Sequence, residues 1–267
     1  VSRVGAIGLI LVLAMVMMSL GWRWQRQHDN AGIVDVLWSA GLGGAALLAA
    51  FLGSGAAPPR VLVGLCGLGW GLRLAAHLLH RFRSESEDGR YRALREHWSG
   101  DQLKFFGMFQ FQALLVALFA VPFVVAAANP ASSWGWLAAG TAVWCLSVAG
   151  ESLADAQLAR FRADPANRER TCRTGLWRYS RHPNYFFEWL HWFAYAAFAV
   201  GAPQGAIALA GPILMYLFLR FVSGIPYTEA QALRTRGEDY RDYQRRTSML
   251  FPWPPRPESH SPPETAS

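Results

Sequence analysis

The fold class expected from the sequence is all-α, a polytopic membrane protein of seven transmembrane helices with its N-terminus outside and its C-terminus cytoplasmic. Three observations predict it. The chain is 52% hydrophobic and only 16% charged, and its apolar residues gather into runs near the length that crosses about 30 Å of hydrocarbon. The basic residues behind the net charge of +7 fall in the gaps between those runs, a pattern of membrane topology and not of nucleic-acid binding. With seven helices, 21 of the 25 Lys and Arg then lie on one side, as the positive-inside rule requires.

The spans are placed at 4–22, 31–53, 59–80, 105–128, 132–153, 186–202 and 204–223. The first has Arg3 before it and no small-residue cleavage site after it, so it is read as a retained helix and not a removed signal peptide. Glycines at 41, 43 and 44 in the second span, and at 64, 67, 69 and 71 in the third, predict close helix approach. Residues 81–104 mix both signs of charge and are expected to form a short surface helix. The fifth helix runs past its span through Asp155, Gln157, Arg160 and Arg162 and is expected to break at Asp164-Pro165. The last two spans form a hairpin turning near Ala202-Pro203-Gln204. Residues 228–246 read as a helix with Tyr240 and Tyr243 on one side. Residues 1–254 are expected to be a single domain, followed by a disordered tail over 255–267.

Ionisable side chains inside a bilayer are expensive and point to function. Asp35, Arg73, His77, His80, Glu151, Glu188, His191 and Arg220 all fall in the inner half of their spans, outlining a polar cavity open to the cytoplasm. Arg73 and His77 stand one turn apart on one helix face. The stretch TGLWRYSRHPNYFFE, residues 174–188, crowds Arg178, Arg181, His182, Asn184 and Tyr185 just before an apolar helix that carries Glu188. Donors for an anion thus lie outside the apolar zone and an acceptor just within it. The basic residues are nearly all Arg, with Lys104 the single lysine, and guanidinium groups suit bidentate phosphate contacts. No phosphate-binding glycine loop, zinc-protease helix or serine-nucleophile elbow occurs. Cys66, Cys145 and Cys172 lack metal spacing, and no metal is expected.

TGLWRYSRHPNYFFE, the apolar hairpin after it and GEDYRDYQRRTSMLFPW together resemble the C-terminal half of the steroid 5-alpha-reductase family, in particular its bacterial integral-membrane members. ADAQLARFRADP adds to the match, and VDVLW and WGLRLAAHLLHR carry it more thinly in the N-terminal half. The resemblance implies an inner-membrane enzyme that uses NADPH to reduce the carbon–carbon double bond of a conjugated enone in a lipophilic, 3-oxo-Δ4 steroid-like substrate. It implies cofactor contacts from Arg73, Asp155, Arg162, Asn184, Glu188, Arg220 and Tyr227, with Arg181, His182 and Tyr185 beside phosphate or ribose. Tyr240, Tyr243 and Arg246 belong to a closing helix over the cofactor. Asp35 matches the family's second-helix Glu, Trp70 stands near its third-helix Tyr, and His77 is the alternative acid. Phe187 departs from the family's pattern, where Gly is expected, and narrows the space beside Asn184. The expected partners are the enone or steroid and membrane lipid, with no nucleic acid, and the expected state is a monomer. The rival reading is a membrane methyltransferase of the isoprenylcysteine carboxyl methyltransferase type, which binds S-adenosylmethionine and shares an Arg-His-Pro stretch before a helical hairpin.

Overall fold

The computed structural model describes residues 1–84, 86–131 and 133–257. Among these residues the secondary structure is entirely helical. Ten α-helices follow in order: α1 Arg3–His28, α2 Ile33–Leu52, α3 Ala57–Ser84, α4 Gly89–His97, α5 Gln102–Phe119, α6 Val121–Ala127, α7 Trp134–Ala163, α8 Pro183–Phe198, α9 Ala210–Leu217 and α10 Ile225–Arg246. They form two compact units, one of Val1–Cys145 with His191–Met215 and one of Leu146–Leu190 with the chain from Tyr216 onward.

In the first unit α2 and α3 make the tightest helix pair, because glycine removes the side chains that would hold them apart. A Cβ on Gly71 would lie 2.7 Å from the Gly43 Cα, and one on Gly67 would lie 2.2 Å from the Ala46 Cβ. Gly44 meets nothing within 4 Å and a Cβ on Gly43 would make only ordinary contacts at 3.5 Å, so the close approach rests on Gly67 and Gly71, with a Cβ on Gly64 3.0 Å from the Ala50 Cβ. The centre of the unit is aromatic. Trp70 and Trp192 are fully buried, with Phe119, Phe123 and Tyr195 around them. Most of their rings meet edge-on or tilted at centroid distances of 4.6–5.8 Å, and Phe123 stacks on Trp192 at 5.5 Å. The expected fourth span is broken where Pro122 removes a backbone donor, giving α5 and α6. Beyond α6, the buried Asn129 amide donates to the carbonyls of Phe198 and Val200 at 2.8 Å each.

Among the described residues six stretches are long and apolar enough to cross a membrane: Arg3–His28, Ile33–Leu52, Ala57–Ser84, Gln102–Ala127, Trp134–Ala163 and the apolar part of Gly205–Arg246. The expected span at 186–202 is the one that falls short. Its helix, α8, has 16 residues, about 24 Å at 1.5 Å per residue. Pro183 fixes its start, and the chain turns at Gly201, φ +95°, and Gln204, φ +58°. The returning limb is irregular, a 3-10 turn at Gly205–Leu209, then α9, then a π-turn at Phe218–Val222.

In the second unit α7 ends at Ala163, where the Asp164 side chain accepts from the Ala166 N–H and a 3-10 turn follows at Pro165–Asn167. The expected break at Asp164-Pro165 is therefore present. So is the surface helix in 81–104, which is α4, capped by the Asp88 carboxylate accepting from the Arg90 N–H. The helix expected at 228–246 is α10, kinked at Gly237, φ +48°. Of the tail expected to be disordered, 255–257 carry no regular structure and 258–267 lie outside the described residues.

Candidate functional site

The Arg-rich segment before the hairpin and the helix after it are brought together in the second unit. The joint is Glu229 on α10. Its Oε1 accepts from Arg181 Nε at 2.7 Å, from His182 Nε2 at 3.2 Å and from the Tyr240 hydroxyl at 3.4 Å, while Oε2 accepts from Gln244 Nε2 at 2.9 Å. Arg181 also donates to the carbonyls of Gln244 and Thr247. The pair is largely shielded, with side-chain exposures of 11% for Arg181 and 16% for Glu229. Burial alone would raise the Glu229 carboxyl, but the hydrogen bonds from His182 and Arg181 and the Arg181 charge take it down to about 2. Burial lowers the His182 imidazole, so His182 is neutral near pH 7 and donates its Nε2 proton to Glu229 while Arg181 supplies the charge.

A second joint fixes the same loop. Arg173 bridges Asp239 and Asp242 at 2.7 and 2.8 Å, and the Thr171 N–H donates to Asp239. Tyr243 is buried and its hydroxyl donates to the carbonyls of Trp177 and Ser180. Against α7, the Trp177 indole donates to the Ala154 carbonyl and the Leu176 N–H to Gln157 Oε1, both at 2.9 Å. Gly175, φ +58°, lies where a Cβ would meet the Gln157 amide at 2.4 Å. Only glycine meets both demands there.

On the adjoining turn of α8, Asn184 Nδ2 donates to Asp155 Oδ1 at 3.4 Å, and Glu188 is buried one turn on. Tyr185 stacks on His182 at 5.4 Å. Arg162, at the end of α7, is exposed, and Tyr227 is half-buried on α10. Arg220 sits in the π-turn with its guanidinium 4.9 Å from the Phe221 ring centre, and Arg246 pairs with Asp242 at 3.0 Å. Phe187 is accommodated by a glycine opposite. A Cβ at Gly150 would fall 2.4 Å from its ring.

The remaining sequence-predicted residues belong to the first unit. Asp35, in the first turn of α2, receives Arg90 Nη2 at 2.9 Å on Oδ2 and the Tyr91 hydroxyl at 2.6 Å on Oδ1. Burial, and then the neighbouring Asp35 charge, push the Tyr91 phenol well above its usual value, so it stays protonated and donates. Beside them is a small cavity of about 40 Å³, lined among others by Asn30, Asp35, Arg81, Ser86 and Asp88. It has room for roughly one water and not for a lipid. Trp70 is stacked on His191 at 4.4 Å within the aromatic core. Arg73 is half-buried and His77 exposed on α3.

The residues that sequence reasoning missed are the anionic halves of these joints, with Tyr91 and Arg90. For Glu229 a signal existed, since positions 229, 233, 240 and 244 recur on one face of a helix. For Tyr91, inside a mixed-charge loop, periodicity gives none. Among the described residues no cluster of three His, Cys, Asp or Glu could hold a metal ion, and the three cysteines are free.

Fold and site together define a helical membrane protein with an Arg-rich polar lobe built from the two flanks of its last apolar hairpin. The chain belongs to the family described as "Protein of unknown function (DUF1295)", whose model matches residues 21–247. Comparison with curated proteins gives no match, and neither does comparison with solved structures.

Proposed function

We propose that this protein is an NADPH-dependent reductase of the carbon–carbon double bond of a conjugated enone in a lipophilic substrate. In this reading it has seven spans, the hairpin being the last two, and its polar lobe faces the cytoplasm of a bacterial cell. The observation that carries the reading is the joining of residues 171–182 to α10 through Arg181–Glu229 and Arg173–Asp239/Asp242, with Asn184, Asp155 and Glu188 alongside. This is the part of the chain in which the reductase resemblance is densest.

The residues present suit a phosphorylated dinucleotide. Arg162, Arg220 and the exposed Arg178 offer charge-assisted donors for phosphate, Arg181 being engaged by Glu229 and two carbonyls. The Asp155–Asn184 pair offers an acceptor and a donor for ribose hydroxyls or an amide. Held by these residues, NADPH would supply a hydride for the β-carbon of the enone. Negative charge then develops on the carbonyl oxygen and must be stabilised, and a proton must reach the α-carbon. The Asp35–Tyr91 pair is proposed for both tasks. In that pair Asp35 stands where the reductase family has its second-helix Glu, and Arg90 and Tyr91 hold its carboxylate in place by donating to it. Trp70 is packed inside the aromatic core and takes no step in this reading, and His77 is the alternative acid.

The rival methyltransferase reading rests on the shared Arg-His-Pro stretch, and the Asp155–Asn184 pair at the end of α7 favours the dinucleotide. Incubating the reconstituted protein with 4-deuterated NADPH and a 3-oxo-Δ4 steroid tests the proposal. One deuterium at the β-carbon of a saturated ketone is the expected product. Unchanged enone, with methyl transfer from S-adenosylmethionine to a lipid acceptor, would overturn it.

A further inference from the structure

The segment after α10 holds an unusual combination of fixed backbone and outward-facing aromatic side chains. Its backbone is strapped to the Arg-rich loop. The Arg181 N–H donates to the Ser248 carbonyl at 2.8 Å, Ser180 Oγ to the Leu250 carbonyl at 2.8 Å and the Trp253 N–H to the Tyr179 carbonyl at 2.9 Å, and the Arg256 N–H reaches the Arg246 carbonyl. Leu250 is a buried peg, yet Phe251 is 48% exposed and Trp253 72%. Pro252 and Pro254 flank Trp253, fixing φ and removing donors that could pair with another strand. So large an indole held in water on an ordered segment exposes apolar area with no compensation.

The surroundings say what covers it. Phe251 packs edge-on against Trp189 at 5.4 Å and against Phe186 at 6.2 Å, and lies roughly parallel to Tyr216 at 6.4 Å. Tyr216 belongs to the apolar stretch that begins at Gly205 and reads as a membrane span, whose Leu217, Phe221 and Val222 are themselves exposed. The aromatic patch is therefore continuous with a lipid-facing helix surface. Tyr179, 41% exposed, is tied to Trp253 through its carbonyl and has the Arg178 guanidinium 6.0 Å from its ring centre. Arg245 and Arg256, in the stretches next to the patch in sequence, are exposed. Amphipathic rings backed by arginines are the composition of a bilayer interface, where indole and phenol sit at headgroup depth and basic residues meet anionic lipid.

We infer that residues 249–253 are an interfacial anchor, with Phe251 and Trp253 seated in the headgroup–acyl boundary of an anionic bilayer. Through its backbone bonds to Tyr179, Ser180 and Arg181, the anchor sets the depth of the Arg-rich loop relative to the lipid surface. The inference does not depend on the reaction proposed above.

The test is a nitroxide at position 253, introduced as Trp253→Cys in a full-length chain whose three native cysteines are replaced, and reconstituted into vesicles of phosphatidylcholine with phosphatidylglycerol. The exposed loop variant Glu169→Cys is the control. Because Trp253 projects outward, the substitution leaves the packed core alone, and a monodisperse elution profile checks the fold. The expected result is a label at 253 relaxed severalfold more by oxygen than by a water-soluble nickel chelate, with the reverse at 169. Equal, chelate-dominated relaxation at both positions would overturn the inference. So would dipolar broadening at 253, which would put a second copy of the chain on this face.

Discussion

Glu229→Gln removes the charge at the centre of the polar lobe while keeping the side chain's shape. Two routes give its size. Breaking a well-buried ion pair and leaving one charge behind costs about 3–5 kcal/mol, and Arg181 would keep its two carbonyl acceptors, which favours the lower end. Independently, a carboxyl at about 2 in the folded state against 4.5 otherwise corresponds to about 3 kcal/mol at neutral pH. The sign follows from the depressed folded-state value. The carboxylate contributes fully above pH 4.5 and its contribution is lost as pH falls towards 2, and burying neutral His182 adds further loss below its usual titration range. Denaturant unfolding in mixed micelles, followed by near-ultraviolet circular dichroism across this range, reads the effect. The expected outcome is a variant less stable by about 3 kcal/mol at pH 7 and lacking the Glu229 share of the acid slope. A variant with wild-type midpoint and wild-type acid dependence would refute the reasoning, because Glu229 would then not hold Arg181.

Three further outcomes are expected. Gly150→Ala should cost about 1–3 kcal/mol by overpacking against Phe187, and the cost should vanish in a Phe187→Ala background; a denaturation double-mutant cycle measures the coupling. Asp35→Asn and Tyr91→Phe should each lower enone turnover at least about tenfold while leaving NADPH affinity unchanged, read by steady-state rates beside a binding titration. With seven spans, a cysteine at Ser133 should react with an impermeant maleimide from outside intact cells and one at Asn167 only after lysis, as gel-shift labelling would reveal.

Much of the helical plan was legible because it depends on local signals. Asp164-Pro165 stops α7 as its sequence implies, the mixed-charge loop carries α4, and Tyr240 and Tyr243 share a face and meet at 5.8 Å. The hairpin was legible as a turn but not in its lengths. Hydropathy measures how apolar 186–202 is, whereas Gly201 and the turn after Phe198 decide how much of it is helix. Partners were the least legible part. Arg181 and Glu229 are 48 residues apart in sequence, and Asp35 and Tyr91 are 56 apart. Periodicity reports which face a side chain occupies, not which distant face meets it. Phe187 shows the same limit, since the residue that makes room for it, Gly150, lies on another helix.

The most direct test of the central claim is a titration of the purified protein with NADPH and, separately, with S-adenosylmethionine, following its melting temperature. Stabilisation by NADPH alone, much weakened in Asn184→Ala and Arg162→Ala, is the result expected if the flanks of the hairpin grip a reduced dinucleotide. Stabilisation by S-adenosylmethionine alone, or an NADPH effect indifferent to both substitutions, would contradict it.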